Sequence, residues 1–391
     1  MKKCAIVFFS LLIPFICFGS QKSNSSITLS DSTLNLIYKY YSADKAPGLL
    51  NETYPINPQN VASYIVSLDT VKSQRVAYLW PTSGVFSGVV ALLSNTKNPY
   101  YKALLDSKII PGLDLYFDTT RQPSCYQSYI ASEGKSDRFY DDNVWLAIDF
   151  AQLALVTKDP VYLKKAEMIW KFVISGWDEQ LGGGIYWCEQ KKHSKNTCSN
   201  APSVVAAAKL YQATKNIEYL NRAKRIYAWT KLNLQDSTDG LYYDNISLKG
   251  RIGKTKYAYN SGQMMQGAAL LYKITGEKTY RTDAQRIARS ALPFFTTEIT
   301  RDGKKYRVFK QQGAWFVTVL SRGYFELYGI DKDPQYINFF KSTVEYLKQY
   351  ARYDNGLFYG DWSGTNPDKY KWLLDQGCIV ELSANLSTFY K

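Results

Sequence analysis

The chain has 391 residues, of which 46% are hydrophobic and 15% aromatic, and its formal net charge is +14. This composition excludes a disordered chain and is sufficient to bury a large core. With a single histidine, His193, and no phosphate-loop or dinucleotide fingerprint, the sequence argues against a multi-histidine metal site, a Ser-His-Asp triad and nucleotide binding, and we expect no metal and no cofactor.

The N-terminal segment has the features of a secretory signal peptide over residues 1–20. Two lysines provide a charged start, residues 5–18 form an apolar run, and Gly19 and Ser20 are small residues suited to cleavage. The run is short for a membrane span, and nothing after it is apolar enough to cross a bilayer. We therefore predict an exported protein, periplasmic or extracellular, whose mature part, residues 21–391, is a single domain.

The cysteines raise two further expectations. Cys17 would permit lipid anchoring and loose membrane association, but Ile16 precedes it where a small residue is usual. An oxidising compartment permits disulfides, and Cys188 and Cys198 are the most favoured pair because they lie in one loop. The alternative is four unpaired thiols in the mature chain, which the sequence alone does not exclude.

One pattern recurs along the chain: a helix ends, a polar turn begins with Thr or Asp, and a tyrosine follows five residues later. Successive copies start 56 to 61 residues apart, which indicates a repeated supersecondary unit. After each turn, apolar residues return every three or four positions, as expected for a helix with one buried face. Before each turn lies a more uniformly apolar helix, which predicts burial on all sides. The copies begin at Thr96, Thr157, Thr214, Thr275 and Asp331.

Each unit therefore pairs an outer helix with an inner helix, and six such pairs account for the mature chain. We expect an all-α fold in which the six hairpins close into an (α/α)6 toroid; an open helical solenoid is the alternative. The number six and the buried inner set favour closure. Outer helices are predicted near 32–43, 99–116, 160–174, 217–232, 278–295 and 334–350. Inner helices are predicted near 77–95, 140–156, 200–214, 259–275, 313–329 and 371–389.

The connections of this predicted ring are unequal. Inner-to-outer turns are short, whereas outer-to-inner loops are too long to be simple connectors and contain most of the Gly, Trp and Asp clusters. These loops all reach the N-terminal ends of the inner helices, where free N–H groups and partial positive charge are found. We therefore expect a concave pocket with the functional residues at this end of the ring.

Two consecutive aspartates, Asp141 and Asp142, stand at the predicted start of the second inner helix. Glycoside hydrolysis requires two carboxyl groups, one to donate a proton and one to attack or to activate water. Neighbouring residues on a helix diverge by about 100°, so these carboxyl groups can lie roughly 5 Å apart, the separation found in retaining enzymes. Two close like charges also raise the pKa of one member, which keeps a proton available. The structural alternative is helix capping, for which aspartate is favoured at helix starts.

The run from Phe139 to Trp145, Phe-Tyr-Asp-Asp-Asn-Val-Trp, resembles the central motif of glycoside hydrolase family 76, the α-1,6-mannanases. Further matches follow in family order over nearly the whole mature chain. The resemblance implies a bacterial enzyme with an (α/α)6 barrel and a retaining endo-mechanism on α-1,6-linked mannose backbones. It also implies that Asp141 is the nucleophile and Asp142 the general acid/base. The further matches are Tyr78-Leu79-Trp80-Pro81, Gly176-Trp177-Asp178, Gly182-Gly183-Gly184-Ile185-Tyr186-Trp187, Thr197-Cys198-Ser199-Asn200-Ala201-Pro202, Tyr257-Ala258-Tyr259-Asn260-Ser261-Gly262-Gln263 and Asp361-Trp362.

Polar and aromatic residues of these motifs are the candidate substrate contacts. Asn200, Asn260 and Gln263 begin inner helices and can hydrogen-bond hydroxyl groups, with helix capping as the alternative. Tryptophan rings can stack on pyranose faces, with core packing as the alternative. The predicted substrate-binding set is Trp80, Tyr140, Asn143, Trp187, Asn200, Tyr259, Asn260, Gln263 and Trp362, and Asp244 and Asp361 are weaker candidates.

Basic residues are concentrated in three runs, at 191–195, 249–256 and 301–307, all in predicted loops at the pocket end of the ring. A neutral mannan does not require this charge. One hypothesis is that the rim favours an anionic glycan, such as phosphate-decorated mannan, or an acidic surface; a solvated rim is the alternative. Nucleic-acid binding is a poor interpretation, because predicted export and a carboxylate-bearing pocket argue against it.

The predicted function is endo-acting hydrolysis of α-1,6-mannan backbones by a monomer that binds mannan polysaccharide or manno-oligosaccharide. One alternative is another (α/α)6 carbohydrate enzyme with a different linkage specificity, although epimerases of this shape generally rely on histidines. The other alternative is a non-catalytic glycan-binding protein on the same scaffold, which the intact aspartate pair argues against.

Overall fold

The computed structural model describes residues 25–60, 76–310 and 312–389. The predicted signal peptide and Cys17 lie outside the described residues. Within these ranges, none of the helices combines the length and the apolar character needed to cross a bilayer.

Six inner helices form the wall of a central ring in the described part of the chain. They are buried on nearly all sides because apolar residues cover their whole circumference. Consecutive inner helices pack side by side, and the last packs against the first, so the ring is closed. The open solenoid is therefore excluded, and the predicted (α/α)6 toroid is confirmed. The inner helices are α2 (Leu79–Thr96), α5 (Tyr140–Thr157), α7 (Thr197–Thr214), α9 (Ala258–Thr275), α11 (Ala314–Asp331) and α13 (Leu373–Leu386).

The outer layer presents one apolar face of each helix to this ring. Its second member is interrupted, because Pro111 has no N–H to donate and a π-helical turn, Leu105–Ile109, precedes it. The predicted boundaries are correct to within three residues, except that the first helix begins earlier. The outer helices are α1 (Ser25–Tyr41), α3 (Pro99–Leu104) with α4 (Ile110–Asp114), α6 (Pro160–Ser175), α8 (Ile217–Leu234), α10 (Lys278–Phe295) and α12 (Pro334–Tyr350).

The pairing of helices differs in one respect from the prediction. The inner helices from α2 to α11 each turn directly into the outer helix that packs on them, which makes five hairpins. Helix α1 packs instead on α13, so the first and last helices form the sixth pair. Across this seam, the Ser30 hydroxyl donates to the Val380 carbonyl at 2.7 Å. The two ends of the described chain thus close the ring.

The recurring turn has a common structure in its four threonine copies. The threonine hydroxyl donates to the carbonyl four residues earlier and accepts an N–H two residues later. The next residue is left-handed, as at Lys158 with φ of 62°, which ends the inner helix. In three of these turns Asn or Asp then caps the outer helix, as Asp159 does by accepting the Val161 N–H. The sequence repeat therefore encodes a repeated helix–turn–helix unit.

Short antiparallel strands occur in the long loops at the other end of the ring. Among the described residues, these strands form three pairs and one three-stranded sheet, and they lie in the loops that precede the N-terminal ends of inner helices. The pairs are β1 (Thr53–Tyr54) with β9 (Lys371–Trp372), β2 (Phe117–Asp118) with β3 (Cys125–Tyr126), and β7 (Thr296–Arg301) with β8 (Lys304–Phe309). The three-stranded sheet is β4 (Ser194–Asn196), β5 (Asn245–Ser247) and β6 (Ile252–Gly253).

Ionisable groups are buried inside the ring, where a core is usually apolar. Arg322 of α11 donates two hydrogen bonds to Glu381 of α13, at 2.6 and 2.7 Å, and both residues are buried. Asp149 and Lys209 line the same cavity of about 260 Å³, towards the C-terminal ends of the inner helices. Burial raises the pKa of Asp149 to about 7 and lowers that of Lys209. Arg322 and Glu381 thus form a buried ion pair, whereas the Ser87 hydroxyl donates to Asp149 and Lys209 donates to the Gln152 amide oxygen.

The buried acids predict that part of the stability is lost as the pH rises. Burial raises the pKa of Asp375 to about 8, well above its value of roughly 4 in an unfolded chain. Its stabilising contribution is complete below about pH 4 and is lost as the pH rises through its folded-state pKa. In melting curves between pH 5 and 8, Asp375→Asn should therefore reduce the fall in Tm relative to wild type. The exposed Asp354→Asn should leave the slope unchanged, and an unchanged slope in Asp375→Asn would contradict the account.

Candidate active site

The long loops and the N-terminal ends of the inner helices enclose a cavity of about 490 Å³. This is the end of the ring at which the sequence predicted a pocket. Aromatic rings form most of the wall, and three carboxyl groups face into it. The lining residues are Trp80, Phe139, Asp141, Asp142, Trp145, Trp187, Ser194, Asn196, Cys198, Asp244, Asn245, Tyr257, Tyr259, Trp315 and Phe316.

A simple regularity explains the positions of five of the fifteen lining residues. The second residue of five of the six inner helices of the described chain lines the cavity. The inner helices enter the ring in equivalent positions, so residues at the same place in each helix meet around the central axis. The sequence repeat therefore carries the positions of these lining residues. These second residues are Trp80, Asp141, Cys198, Tyr259 and Trp315.

Asp141 is held from three sides. Its Oδ2 accepts the indole N–H of Trp187 at 3.0 Å, the Cys198 thiol donates to the same carboxyl group, and the Asp142 backbone N–H donates to it at the helix start. Burial raises the pKa of Asp141 to about 6, while these donors act in the opposite direction because they stabilise the ionised form. Asp141 is thus the member of the pair that ionises first.

Asp142 is buried, with 7% of its surface exposed, and its environment is less favourable to charge. Burial raises its pKa well above the usual range, and the negative charges of Asp141 and Asp137 raise it further. The two neighbouring carboxyl groups therefore differ in protonation: Asp142 keeps its proton near neutral pH while Asp141 can ionise. A carboxylate beside a carboxylic acid is the pair that acid-assisted nucleophilic displacement requires.

The loop before α5 fixes the direction of these side chains. The Tyr140 N–H donates to the Trp187 carbonyl at 2.9 Å, and the Phe139 and Trp187 rings pack with centroids 5.0 Å apart. The buried Arg138 donates to both carboxylate oxygens of Glu189, which ties the same two segments together. The loop that carries Trp187 is therefore coupled to the helix that carries the aspartates.

The aromatic wall has supporting contacts behind it. Trp80 packs edge-on against Trp372, with centroids 5.2 Å apart, and the Trp372 indole N–H donates to the buried Glu52 at 2.6 Å. On the other side, Tyr259 and Phe316 are stacked with an interplanar angle of 12°. Such flat, rigid surfaces suit the apolar face of a sugar ring.

Two of the predicted sugar contacts, Asn143 and Asn200, have a structural role instead. Each side chain donates to and accepts from the backbone of a buried loop residue, Tyr126 for Asn143 and Ile185 for Asn200. Gln376 of α13 makes the same pair of bonds to Phe358. All three stand at the fourth position of an inner helix, where they attach the preceding long loop to the ring. The hydrogen bonds of Asn143 and Asn200 thus favour the structural alternative over sugar contact for both residues.

Four further candidates also lie outside the cavity wall. Tyr140 is buried and stacks on Phe172 with centroids 4.7 Å apart. Gln263 donates to Gln266 within the ring, Asn260 is fully buried beside it on α9, and Trp362 is buried in the core, with 2% of its surface exposed. The weaker candidate Asp361 bonds to its own loop at Ser363, Thr365 and Asn366, whereas Asp244 does line the cavity.

The cysteine prediction is also corrected. Cys188 and Cys198 are both free and buried, as are Cys125 and Cys378. The Cys198 thiol interacts with Asp141, whereas the Cys188 sulfur lies 3.5 Å from the Gln190 amide oxygen. Residues that the sequence prediction missed include Trp315, which stands at the second position of an inner helix, and its neighbour Phe316. They also include the polar strand residues Ser194, Asn196 and Asn245, which no local signal marked.

The structural role of Asn200 has a measurable consequence. Asn200→Ala leaves the buried N–H and carbonyl of Ile185 without partners, and each such group costs about 1–3 kcal/mol. We expect the free energy of unfolding to fall by roughly 2–4 kcal/mol in urea denaturation. Asn98→Ala, which removes an exposed cap, is the control and should cost about 1 kcal/mol. If Asn200→Ala were as stable as wild type, the structural role would be contradicted and Asn200 would again be a candidate sugar contact.

The fold and the pocket define an (α/α)6 toroid with two carboxyl groups in the wall of an aromatic cavity. The chain belongs to glycosyl hydrolase family 76, whose family model matches residues 29–376. Among solved structures, it is similar to a glycoside hydrolase family 76 mannosidase, Bt3792 from Bacteroides thetaiotaomicron VPI-5482. The two are 32% identical with a TM-score of 0.85, over 93% of this chain and 98% of that one.

Two other relatives extend the comparison. One is an α-1,6-mannanase from Salegentibacter sp. HEL1_6, solved as an inactive variant with two aspartates replaced, in complex with α-1,6-mannotetrose. It is 24% identical to this chain with a TM-score of 0.75, over 93% of this chain and 98% of that one. At this identity the likeness concerns the fold alone. The mannan endo-1,6-alpha-mannosidase DCW1 of Eremothecium gossypii is 24% identical over 236 residues, 56% of this chain and 51% of that protein. The chain spans about half the length of the curated relatives it matches.

Proposed function

We propose that this protein hydrolyses α-1,6-mannosidic linkages within mannan backbones, with Asp141 as nucleophile and Asp142 as general acid/base. The single observation that carries the proposal is the pair of neighbouring carboxyl groups in the cavity wall, one held towards ionisation and the other kept protonated. Family membership supports the reaction class, and the α-1,6-mannosidase activity for which relatives such as DCW1 are named supports the linkage.

The reaction takes place in two displacements. In the first, the Asp141 carboxylate attacks the anomeric carbon while Asp142 donates its proton to the glycosidic oxygen; the C–O bond breaks and a mannosyl ester of Asp141 forms. In the second, the Asp142 carboxylate takes a proton from water, whose oxygen attacks the anomeric carbon and releases Asp141. The two inversions together retain the configuration of the sugar.

Several features support a sugar chain as the occupant. The proposed substrate-binding residues are Trp80, Trp187 and Tyr259, which the sequence predicted, together with Trp315 and Phe316, of which Phe316 stacks on Tyr259. Asn245 and Ser194 add hydrogen-bonding groups at the edge of the cavity. A mixed aromatic and polar wall is the composition that recognises both the faces and the hydroxyl groups of a pyranose.

The remaining biological assignments are part of the same proposal. We infer a bacterial protein that is exported through the signal peptide at residues 1–20 and acts in the periplasm or outside the cell. The mature chain, residues 21–391, would act as a monomeric single domain, since a closed ring contains the whole wall of its cavity. The basis for export is the sequence of the N-terminal segment.

The proposal is tested by incubating debranched α-1,6-mannan with the purified protein and separating the products by size. We expect oligosaccharides of several lengths to appear early, because an endo-acting enzyme cuts within the chain. Linear α-1,2- and α-1,3-linked manno-oligosaccharides serve as linkage controls and should stay intact. Release of mannose alone would indicate an exo-acting enzyme, and binding without release would indicate a glycan-binding protein.

The hydrogen bond from Trp187 to Asp141 predicts a shift in the pH profile. Trp187→Phe keeps an aromatic ring in the cavity wall but removes the indole N–H that stabilises the ionised carboxylate. The pKa of Asp141 should rise by about one unit, since hydrogen bonds to charged groups contribute about 1.5–3 kcal/mol. The acidic limb of kcat/KM, near pH 6 in the wild type, should move to higher pH. A limb that stays in place would show that Trp187 acts on the sugar alone.

A further inference from the structure

One edge of the cavity is formed by the three-stranded sheet β4–β5–β6. Strand β4 pairs antiparallel with β5, and Asn196 lies opposite Asn245. Both residues line the cavity, as does Ser194, so one face of the sheet continues the cavity wall outwards. We refer to residues 191–196 and 244–254 together as the cationic sheet.

The cationic sheet contains six Lys and Arg residues but one acidic residue, Asp244. Lys195 is fully buried and donates to the Asp178 carboxylate and to three backbone carbonyls, so its positive charge is neutralised within the fold. The second and third basic runs contain similar structural cations: Lys256 bonds to two aspartates, and Arg301 bonds to the side of α12. The five exposed cations of the sheet are Lys191, Lys192, Lys249, Arg251 and Lys254.

The exposed cations of β5–β6 carry charge that the fold does not neutralise. Within residues 25–60, 76–310 and 312–389, no carboxylate lies at salt-bridge distance from Lys249, Arg251 or Lys254. By contrast, partly exposed cations of the outer helices are paired with carboxylates, as Lys165, Lys224 and Lys231 are. A local excess of positive charge beside a cleft raises the concentration of anions there.

The chain connectivity places this charge beside the cavity wall. Lys192 stands two residues before the cavity-lining Ser194, in the segment that leads into β4. Lys254 directly follows Gly253, which lies opposite the cavity-lining Asn245. The His193 carbonyl accepts the Leu248 N–H at 3.2 Å, which holds the two basic turns side by side.

We propose that the cationic sheet binds the anionic substituents of a negatively charged glycan and orients that chain in the cavity. This inference rests on the proposed function, because it requires a glycan in the adjoining cavity. The chemistry recognised is an oxyanion, phosphate or carboxylate, carried on a mannan. Arg251 supplies a planar fork for two oxygens, and the lysines supply mobile point charges. The third basic run, on the β7–β8 hairpin, packs beside α12 and lines no part of this cavity.

The experiment compares three polymers: neutral debranched α-1,6-mannan, the same polymer sparsely phosphorylated, and the same polymer sparsely carboxymethylated. The test variant is Lys249→Ser with Arg251→Ser and Lys254→Ser. The control variant removes the same charge from exposed positions on α6 and α10, by Lys164→Ser, Lys171→Ser and Lys278→Ser. For each protein, kcat/KM is measured at low and at high salt.

We expect wild type and control to prefer an anionic polymer by about 10-fold at low ionic strength, with the preference disappearing at roughly 0.5 M salt. The test variant should show a preference near one at both salt concentrations. A preference for the phosphorylated polymer alone, or for both anionic polymers, identifies the oxyanion. No preference in a wild-type protein that cleaves neutral mannan overturns the inference and leaves the proposed function intact.

If no polymer is cleaved, the proposed function fails, and binding still decides the role of the surface. Affinity electrophoresis through gels that contain each polymer measures retention without turnover. Stronger retention of wild type and control than of the test variant in the anionic gels would support an oxyanion-binding sheet. Equal retention of all three proteins would overturn it.

Discussion

Alanine at either aspartate should lower kcat/KM on α-1,6-mannan by about 10⁴-fold or more while leaving the protein folded. Asp141→Ala removes the group that attacks the anomeric carbon, and Asp142→Ala removes the proton that the leaving oxygen needs. Both changes also relieve the repulsion between two close carboxyl groups, so Tm should be equal to or higher than that of wild type. Activity and melting temperature are measured on the same preparations.

The two variants should differ on an aryl α-mannoside with an acidic leaving group. Such a group departs without a proton, so Asp142→Ala should still form the mannosyl ester and should be accelerated by added azide, which replaces the activated water. Neither the acidic leaving group nor azide should restore the first step in Asp141→Ala, because that variant lacks the attacking carboxylate. Asp244→Ala, at the third carboxylate of the wall, is the control and should lose about 10-fold at most. If azide accelerated Asp141→Ala and not Asp142→Ala, Asp142 would be the nucleophile and Asp141 the general acid/base.

The second large effect concerns stability rather than chemistry. Arg322→Met leaves Glu381 as an unpaired charge in the centre of the ring, which should cost about 3–5 kcal/mol of the free energy of unfolding. Arg322 also lies over the rings of Trp145 and Trp315, at 5.6 and 5.1 Å, and both rings line the cavity. In the molecules that remain folded, Arg322→Met should therefore also loosen the packing of these two rings in the cavity wall. Urea denaturation followed by far-UV circular dichroism measures the loss.

Matched changes separate charge from packing. The double variant Arg322→Met with Glu381→Leu removes both charges and should recover most of the lost stability, since apolar residues replace a buried pair at little cost. The exposed pair Lys348–Glu345 is the second control, and its disruption should cost less than about 1 kcal/mol. A small effect of Arg322→Met, comparable to that of the exposed pair, would contradict the proposed importance of the central ion pair.

Much of the fold could be predicted because the relevant signals are periodic. The outer helices have one apolar face and the inner helices are apolar throughout, so their boundaries follow from the sequence, as at α10 and α12. The threonine turns repeat with the same hydrogen bonds, which made the count of six pairs visible. The identity of the sixth pair was not accessible in this way. It depends on α1 meeting α13, a contact between opposite ends of the chain.

The site could be predicted only in part, because an asparagine at a helix start has two uses that look alike in sequence. Asn143 and Asn200 each hydrogen-bond the backbone of a buried loop, and this role becomes visible only when the position of that loop is known. The aspartate pair was recognisable because it lies within the motif from Phe139 to Trp145 and supplies the two carboxyl groups that glycoside hydrolysis requires. Trp362 was misassigned for a related reason, since a tryptophan has the same sequence signature in a core as in a cavity wall.

The most direct test of the central claim is the anomeric configuration of the first products released from α-1,6-mannan. Proton NMR spectra recorded during the first minutes of hydrolysis distinguish the α and β anomers at new reducing ends before they interconvert. If Asp141 forms a mannosyl ester that Asp142 then helps water to cleave, the α anomer should appear first and oligosaccharides should accumulate. Initial release of the β anomer would indicate a single displacement by water and would contradict the assignment of Asp141 as nucleophile.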